Sequence, residues 1–227
     1  MSLRGRRVLV TSGPTRAPLD EVRFLTNKST GRLGALIAEA ALGAGADVTF
    51  VYGRGSGLPT VRGGRVDHLR IVPIDTVDDL VAAFRQELPH DYDALIHAMA
   101  VLDFAPAAVR EEKVPSSTPE WIVRLVPTPK AAALVRDLAP RTFFVGFKLE
   151  VEKAHEELIA IAREWARHNR ADLVVANDLR DIERGTHVGY LVTPAGSVEA
   201  VAEGKEAIAR ALVELLGRRL ADRPAAR

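Results

Sequence analysis

Residues 23–53 read RFLTNKSTGRLGALIAEAALGAGADVTFVYG, and this stretch decides the fold class. A polar segment with two glycines, Asn27 to Gly34, leads into an apolar helix pattern over Leu33–Leu42, which Gly43 and Gly45 end. The strand pattern Val48–Tyr52 comes next. A glycine-containing turn, a helix and a buried strand in this order predict one unit of a Rossmann-like fold.

The same alternation continues along the chain. We predict strands at 7–12, 69–72, 94–98, 142–147 and 173–176, helices at 75–88, 129–138, 151–169 and 205–220, and a hairpin at 189–198 with its turn at 194–196. The segment 101–128 carries four prolines and little periodicity, so we expect a long functional loop or flap there. The predicted fold is α/β: one Rossmann-like three-layer domain over 1–220, with a mainly parallel sheet, the flap and a small hairpin, and then a flexible tail over 221–227.

Composition excludes several classes of function. The 227 residues have a formal net charge of +1, 47% apolar residues and no cysteine. Disulfides and thiolate metal sites are therefore impossible, and broad nucleic-acid binding is disfavoured. No apolar run approaches the roughly 20 residues that span a bilayer, and the basic start MSLRGRRVLV is no secretory signal. We expect a cytoplasmic protein with neither membrane nor nucleic-acid partners.

Two segments could bind an anion. The turn TSGPTR, 11–16, follows the first strand, although it is neither GxGxxG nor a GxxxxGK[ST] loop. Ser29, Thr30, Gly31 and Gly34 stand at the start of the first helix, where free backbone N–H groups suit a phosphate. The alternative is that Ser29 or Thr30 is an ordinary N-cap and that Gly34 serves close packing of the helix on the sheet.

Polar residues follow four predicted strands: Thr11 and Ser12, Asp103, Lys148, and Asn177. Because the carboxyl ends of parallel strands share one edge of a sheet, we expect these residues to converge. A carboxylate such as Asp103 can hold a ribose hydroxyl or Mg²⁺, and Lys113 on the loop can reach a phosphate. Alternatively Asp103 caps a turn and Lys113 is solvated beside two glutamates.

Other catalytic patterns are missing. The sequence contains no GxSxG elbow and no HExxH, and its six histidines are scattered. His97, inside the apolar strand ALIHA, is interpreted as a hydrogen-bonded core residue, and Trp121 and Trp165 as core or interface residues.

Four segments in order resemble one family. They are residues 8–53, HAMAVLDFAPAAVREEKVPS (97–116), TFFVGFKLE (142–150) and LVVANDL (173–179), and they are similar to the VTxGGTxEPID…NxSSG, AAAVADY…EKIK, VGFxxE and VAND elements of phosphopantothenoylcysteine synthetases. This resemblance implies a ligase that joins 4′-phosphopantothenate to cysteine in coenzyme A synthesis. The carboxylate is first activated as an acyl-nucleotide with loss of pyrophosphate, and the cysteine amine then displaces the nucleoside monophosphate. Many bacteria fuse this domain to a flavin-dependent decarboxylase, for which 227 residues leave no room, so the resemblance is to the stand-alone form.

The resemblance also implies roles for individual residues. It implies Asn27, Asp103 and Lys113 for catalysis; Ser29, Gly31, Gly34 and Asn177 for the substrate phosphate; and Gly13, Ala100, Asp103, Phe147 and Lys148 for the nucleotide. Mg²⁺ with CTP or ATP is the implied cosubstrate, although no metal-binding group is identified. A homodimer is implied, in which the loop of one subunit reaches over the site of the other.

Departures from the family pattern bear on the nucleotide. Lys113-Val114-Pro115-Ser116 stands where fused bacterial forms have KIKK, and Lys148 and Lys130 look more like stand-alone and eukaryotic forms. We favour CTP over ATP. The alternative functions are an NAD(P)-dependent Rossmann oxidoreductase, which the strand–glycine–helix opening would fit, and a non-catalytic homologue; the missing GxGxxG and Tyr-x-x-x-Lys argue against the former.

Overall fold

A computed structural model describes residues 2–61, 63–221, 223 and 225. Its strands are β1 (Arg7–Ser12), β2 (Arg16–Pro18), β3 (Phe24–Thr26), β4 (Asp47–Gly53), β5 (Leu69–Ile74), β6 (Ala94–His97), β7 (Phe104–Pro106), β8 (Leu125–Pro127), β9 (Phe143–Glu150), β10 (Leu173–Asp178), β11 (Val188–Val192) and β12 (Val198–Glu203). Its α-helices are α1 (Arg32–Gly43), α2 (Val77–Glu87), α3 (Ala131–Leu138), α4 (His155–His168), α5 (Leu179–Glu183) and α6 (Lys205–Ala221).

Eight strands form one sheet in the order β12-β11-β10-β9-β6-β1-β4-β5. The six strands from β10 to β5 are mutually parallel, and β11 and β12 continue the sheet antiparallel to their neighbours. The predicted hairpin is thus part of the main sheet and not a separate appendage. After β1 the chain builds β4 and β5 on one side and then returns to place β6 on the other. This reversal opens a crevice between β1 and β6, where doubly wound folds bind ligands.

Alternating side chains cover both faces of the sheet. Val8 and Val10 face α1 and α6, whereas Leu9 between them faces α2 and α3. Beside them, α4 packs on Val174 and Ala176 of β10. The three-layer α/β architecture is therefore confirmed. Among the described residues, no helix has the length and apolar content needed to cross a membrane.

Most of the helices and strands predicted from the sequence are confirmed. Thr76 caps α2, and its hydroxyl and the carboxylate of Asp79 form a reciprocal capping box. The helices predicted at 129–138 and 151–169 begin later, at Ala131 and His155. Two small hairpins, β2–β3 and β7–β8, and the short helix α5 escape sequence analysis. Of the predicted tail, residue 221 ends α6, and 222, 224, 226 and 227 lie outside the described residues.

Gly146 marks the closest approach of α4 to the sheet. A Cβ added at this position would overlap the ring of Trp165. We expect Gly146→Ala to lower the free energy of unfolding by about 2 kcal/mol, because a buried ring and a strand would have to move apart. Gly43→Ala is the matched control: it lies in α1 with nothing within 4 Å of the added Cβ, so it should be neutral or stabilising by up to about 1 kcal/mol. Urea denaturation measures both, and equal effects would contradict the prediction.

His97 is a core histidine, as predicted. It is buried, its Nδ1 lies 2.6 Å from Thr11 Oγ1, and its ring meets Phe84 edge-on. Burial lowers the pKa of His97 to about 4 from 6.5.

This burial makes stability depend on pH. Below pH 6.5 the unfolded chain binds a proton at His97 that the folded chain does not. The free energy of unfolding is therefore undiminished by this group above pH 6.5 and falls as the pH decreases toward 4. The expected loss is about 3 kcal/mol. His97→Gln removes this titration, and both proteins keep the same carboxylates. The difference in free energy of unfolding between the unsubstituted protein and the variant should therefore shrink from pH 7 to pH 4.5, as urea denaturation can measure. A constant difference over that range would contradict it.

Candidate active site

The crevice between β1 and β6 is closed at its base by backbone contacts beyond the strand ends. Pro14 pairs with Ala100, the Ala100 N–H donates to the Gly13 carbonyl at 2.9 Å, and the Thr15 N–H donates to the Ala100 carbonyl at 3.2 Å. Gly13 has a φ of 78°, a left-handed conformation that glycine adopts without strain. The structure therefore brings Gly13 and Ala100 together, and their contact with a nucleotide stays a prediction.

The β2–β3 hairpin carries Asn27 into the same crevice. The Thr26 hydroxyl donates to the Thr15 carbonyl at 2.9 Å, and the next side chain, half-buried Asn27, donates from Nδ2 to the Ala100 carbonyl at 3.1 Å. Asn27 thus lies beside Gly13 and Ala100, and its amide oxygen forms no hydrogen bond with any described residue.

The start of α1 lies on the other side of Gly13. Gly31 is the N-cap, with a φ of 73° and no side-chain cap, so the alternative that Ser29 or Thr30 is the ordinary N-cap is wrong. Two long contacts reach N–H groups at this helix start. Ser29 Oγ accepts from the Gly31 N–H at 3.4 Å, and Thr30 Oγ1 accepts from the Arg32 N–H at 3.5 Å. The first turn contains no acidic residue, so the positive end of the helix dipole is uncompensated there.

Gly34 allows α1 to approach the sheet. A Cβ at this position would lie 2.6 Å from Ser12 Cβ, and Ser12 Oγ donates to the Gly31 carbonyl at 2.9 Å. The predicted role of Gly34 in close packing is therefore visible. The same packing places the start of the helix against the glycine turn, because a Cβ on Gly31 would lie 3.2 Å from Gly13 Cα. An anion at this end would meet the free backbone N–H groups at the start of α1.

Ser56 is a residue of this region that sequence analysis missed. The loop after β4 folds over the crevice through the Gly57 N–H, which donates to the Thr30 carbonyl at 3.0 Å. Ser56 occupies the space that side chains on Gly13 and Gly31 would need, and its buried hydroxyl has no partner among the described residues. The run GRGSG, 53–57, was the available signal.

Asp103 lies next to the crevice but points to solvent. Its chain neighbour Leu102 donates from N–H to Thr15 Oγ1 at 2.9 Å, and its own carbonyl accepts from Thr128 at 3.0 Å. Its carboxylate forms an exposed ion pair with Lys130. The structure therefore joins Asp103 to the turn after β1 and supplies a cation from the segment before α3.

Lys113 lies on the segment between β7 and β8. It is exposed and has no hydrogen bond or ion pair with any described residue. Its neighbour Val114 is fixed: the Val114 N–H donates to Asp20 Oδ2 at 3.1 Å, and Arg23 donates to the Val114 carbonyl at 3.3 Å. Within one chain, the structure brings Lys113 to the β2–β3 hairpin and into contact with neither Asn27 nor Asp103.

Asp20 is the anchor of that segment. Burial would raise its pKa, but the N–H groups of Val22, Arg23 and Val114 together hold the pKa of Asp20 below its ordinary value. The ionised carboxylate therefore ties the base of the Lys113 segment to the hairpin that carries Asn27.

Phe147, Lys148 and Asn177 lie on the neighbouring strands β9 and β10 at the same edge. Half-buried Phe147 packs on the face covered by α1 and α6, and Asn177 shares that face because it lies two residues after Val175. Lys148 lies on the opposite face and pairs with Glu150 at 2.8 Å. Asn177 is buried, and its Nδ2 lies 3.2 Å from His187 Nε2.

The strands that lead to Ser12, Asp103, Lys148 and Asn177 end at one edge of the sheet, as the parallel topology predicts. The side chains of Asp103 and Lys148 point away from the crevice that holds Asn27, and Lys113 contacts neither Asn27 nor Asp103. No group of three or more His, Asp or Glu side chains among the described residues is arranged to hold a metal ion. Nucleotide-bound Mg²⁺ commonly takes one or two carboxylates and several phosphate oxygens, and exposed Asp103 could supply one such ligand.

Known proteins resemble this chain in sequence and in fold. Residues 3–219 match the family model of the DNA/pantothenate metabolism flavoprotein C-terminal domain. The chain is 39% identical over 180 residues to the coenzyme A biosynthesis bifunctional protein CoaBC of Thermococcus kodakarensis, covering 79% of this chain and 43% of that protein. The chain spans about half or less of the length of the curated relatives it matches.

Solved structures show the same architecture. The DNA/pantothenate metabolism flavoprotein from Streptococcus pneumoniae superposes with a TM-score of 0.83 at 31% identity, covering 94% of this chain and 99% of that chain. A mutant Cab2 in complex with phosphopantothenate-cysteine has a TM-score of 0.74 at 22% identity, over 96% of this chain and 88% of that one, which shows a shared fold.

Proposed function

The chain belongs to the DNA/pantothenate metabolism flavoprotein C-terminal domain family, that of the phosphopantothenoylcysteine synthetases, and from this premise we propose that it joins 4′-phosphopantothenate to cysteine. A carboxylate is a poor electrophile because oxide is a poor leaving group. In the first step a carboxylate oxygen attacks the α-phosphorus of a nucleoside triphosphate and pyrophosphate leaves. In the second step the cysteine amine attacks the acyl carbon, loses a proton and expels the nucleoside monophosphate.

One observation carries this proposal: Asn27, Gly13 and Ala100 meet at the crevice that the uncapped start of α1 borders. Such a site would bind and position two anionic molecules without a covalent nucleophile. Positioning and charge neutralisation are what this reaction requires.

The substrate phosphate would lie at the start of α1. Ser29, Gly31 and Gly34 would supply hydroxyl and backbone donors, and Asn177 would bind from the end of β10. The helix end favours negative charge, and Gly31 and Gly34 let this end of α1 lie against the turn after β1.

The nucleotide would lie across the β1–β6 crevice. Gly13 and Ala100 would contact it through their backbones, Phe147 through its ring, and Asp103 and Lys148 through their charges. Asn27 would hold the acyl-nucleotide beside Ala100. Mg²⁺, bound with the nucleotide, would neutralise phosphate charge, with CTP favoured over ATP.

We propose that the protein acts as a homodimer. The two small hairpins and the segment beside them expose apolar side chains, among them Phe24, Phe104, Ile122 and Leu125, and Ile122 is 81% exposed. Exposed apolar clusters of this kind mark interaction surfaces. A second copy on this surface would bring a Lys113 segment near the site of its partner, where Lys113 would act in the second step. We further propose one domain over 1–220 and a cytoplasmic location.

A direct assay tests the proposal. The protein is incubated with 4′-phosphopantothenate, cysteine, Mg²⁺ and either CTP or ATP, and both pyrophosphate and the 4′-phosphopantothenoylcysteine product are measured. We expect product with at least one nucleotide, and CTP to outcompete ATP at equal concentrations. Absence of product and pyrophosphate with both nucleotides would refute the ligase. Tight NADPH binding would instead favour the oxidoreductase, for which the similar proteins above give no support.

A further inference from the structure

The segment that carries Lys113, residues 107–120, is held to the β2–β3 hairpin by few contacts. All of its residues are exposed except Val114, which is half-buried. The Arg110 N–H donates to the Leu19 carbonyl at 3.0 Å, and the Val114 N–H donates to Asp20 Oδ2 at 3.1 Å. The position of Lys113 therefore depends on the residue that directly follows it.

The two carboxylate oxygens of Asp20 hold different parts of the chain. Oδ1 accepts from the N–H groups of Val22 at 2.9 Å and Arg23 at 2.7 Å, which closes the turn between β2 and β3. Oδ2 accepts from the Val114 N–H and, at 3.1 Å, from Arg23 Nη1. One buried side chain thus joins the hairpin to the Lys113 segment.

Arg23 completes this attachment. Its Nη1 also donates to the Val114 carbonyl at 3.3 Å, and its guanidinium lies 5.5 Å from the centre of the Trp121 ring. The Asp20–Arg23 ion pair therefore binds both main-chain groups of Val114. Pro115 comes next and has no N–H group, so Val114 is the point of attachment beside Lys113.

The hairpin that Asp20 closes is itself fixed at the crevice. It ends at Thr26, whose hydroxyl donates to the Thr15 carbonyl, and Asn27 follows with its contact to Ala100. Asp20 therefore sets the Lys113 segment relative to an element that is anchored beside the proposed acyl-nucleotide site. A displacement of about 1 Å in a charged group can cost a large part of a reaction rate.

We infer that Asp20 is a positioning residue for the second step: its carboxylate holds Val114 and thereby places Lys113 where the ammonium group stabilises the leaving nucleotide. This inference rests on the proposed function. Asp20 touches no substrate and acts through Lys113 alone. The role requires a carboxylate, because Oδ2 faces two donors and a neutral amide cannot accept from both sides of the turn.

Asp20→Asn tests this role in a rapid-quench experiment with 4′-phosphopantothenate, cysteine and nucleotide. The asparagine oxygen can still close the turn, but its NH₂ group would face the Val114 N–H and Arg23. We expect first-turnover release of pyrophosphate to stay within about twofold and the second step to slow about tenfold or more, so that the acyl-nucleotide accumulates.

The double variant with Lys113→Ala separates positioning from a merely structural effect. If Asp20 acts through Lys113, Asp20→Asn should slow the second step by less than about twofold when residue 113 is already alanine. A structural effect would instead slow the second step by the same factor in both backgrounds.

Asp93→Asn is the matched control. The Asp93 side chain is 2% exposed and that of Asp20 is 0% exposed. Asp93 also accepts from an arginine side chain, Arg6 Nη1, and from a backbone N–H, that of Arg7, both at 2.8 Å. It directly precedes β6 and so lies at the opposite edge of the sheet. We expect a lower melting temperature and a ratio of the two rates that changes by less than about twofold.

A second pair of variants leaves Asp20 unchanged. Val114→Pro removes the N–H that Asp20 accepts, whereas Val114→Ala keeps it. We expect Val114→Pro to accumulate acyl-nucleotide and Val114→Ala to keep the ratio of rates of the unsubstituted protein. If Asp20→Asn fails to fold, this pair decides.

The outcomes separate the inference from the proposed function. If the unsubstituted protein makes product while Asp20→Asn slows both steps equally, matches Asp93→Asn, or slows the Lys113→Ala background by its full factor, the positioning role is refuted and the ligase stands. Equal rate ratios in Val114→Pro and Val114→Ala would refute it as well. Neither pyrophosphate nor product from the unsubstituted protein would refute both.

Discussion

Replacing Lys113 by alanine should lower turnover by about 100-fold or more while leaving the melting temperature unchanged. The side chain is exposed and has no partner among the described residues, so the fold loses no contact with it. Its neighbour Val114 is fixed by Asp20, so the segment keeps its place in the variant. The proposed role of Lys113 is in the second step, where its charge would stabilise the leaving nucleotide. We therefore expect the first turnover to release pyrophosphate and the acyl-nucleotide to accumulate, as rapid-quench sampling can show.

Lys153→Ala is the matched control. This lysine lies on another loop at the same edge of the sheet and pairs with Glu157 at 2.7 Å. An exposed pair of this kind contributes less than about 1 kcal/mol, so turnover should stay within about twofold. Full activity of Lys113→Ala, or a first-turnover release of pyrophosphate that is slowed as much as product formation, would show that Lys113 does not act in the second step.

Local sequence patterns predicted the sheet and its covering helices because each element carries its own signal. Val8, Leu9 and Val10 alternate between the two faces of the sheet, and Thr76 and Asp79 form a capping box that is typical of a helix start. The hairpins β2–β3 and β7–β8 have strands of three residues, too short for a periodic pattern. They are held by long-range contacts such as Val114 to Asp20, which no local window of sequence contains.

Part of the candidate site was predictable from the order of the strands. Strand ends place Gly13, Ala100 and Asn177 at one edge, and parallel topology suffices for that conclusion. The N-cap at Gly31 was not predictable from preference, because Ser29 and Thr30 are better caps by composition. Gly31 takes the position because Ser12 Oγ binds its carbonyl and its φ is 73°. His187 and Ser56 escaped because a scattered histidine or serine has no local pattern.

Asn27 carries the other large expected effect. Asn27→Ala should lower kcat/KM by about 100-fold, because an oriented amide beside the Ala100 carbonyl would no longer position the acyl-nucleotide. Stability should change by less than about 1 kcal/mol, since the side chain is half-buried and makes one hydrogen bond. Steady-state rates and urea denaturation measure the two quantities. Asn27→Asp should be at least as inactive, because a carboxylate in that crevice would repel the phosphates of the bound nucleotide.

Asn169→Ala should have the opposite effects on activity and stability if Asn27 positions the acyl-nucleotide. Asn169 follows α4, away from the crevice, and its Nδ2 donates to the Trp165 carbonyl at 3.0 Å. Its loss should lower stability by about 1 kcal/mol and leave kcat/KM unchanged. One asparagine is thus expected to affect catalysis and the other to affect folding, because Asn27 lies in the crevice and Asn169 lies at the end of α4. Comparable losses of activity in both variants would mean that Asn27 acts through the fold, and its place in the chemistry would have to be abandoned.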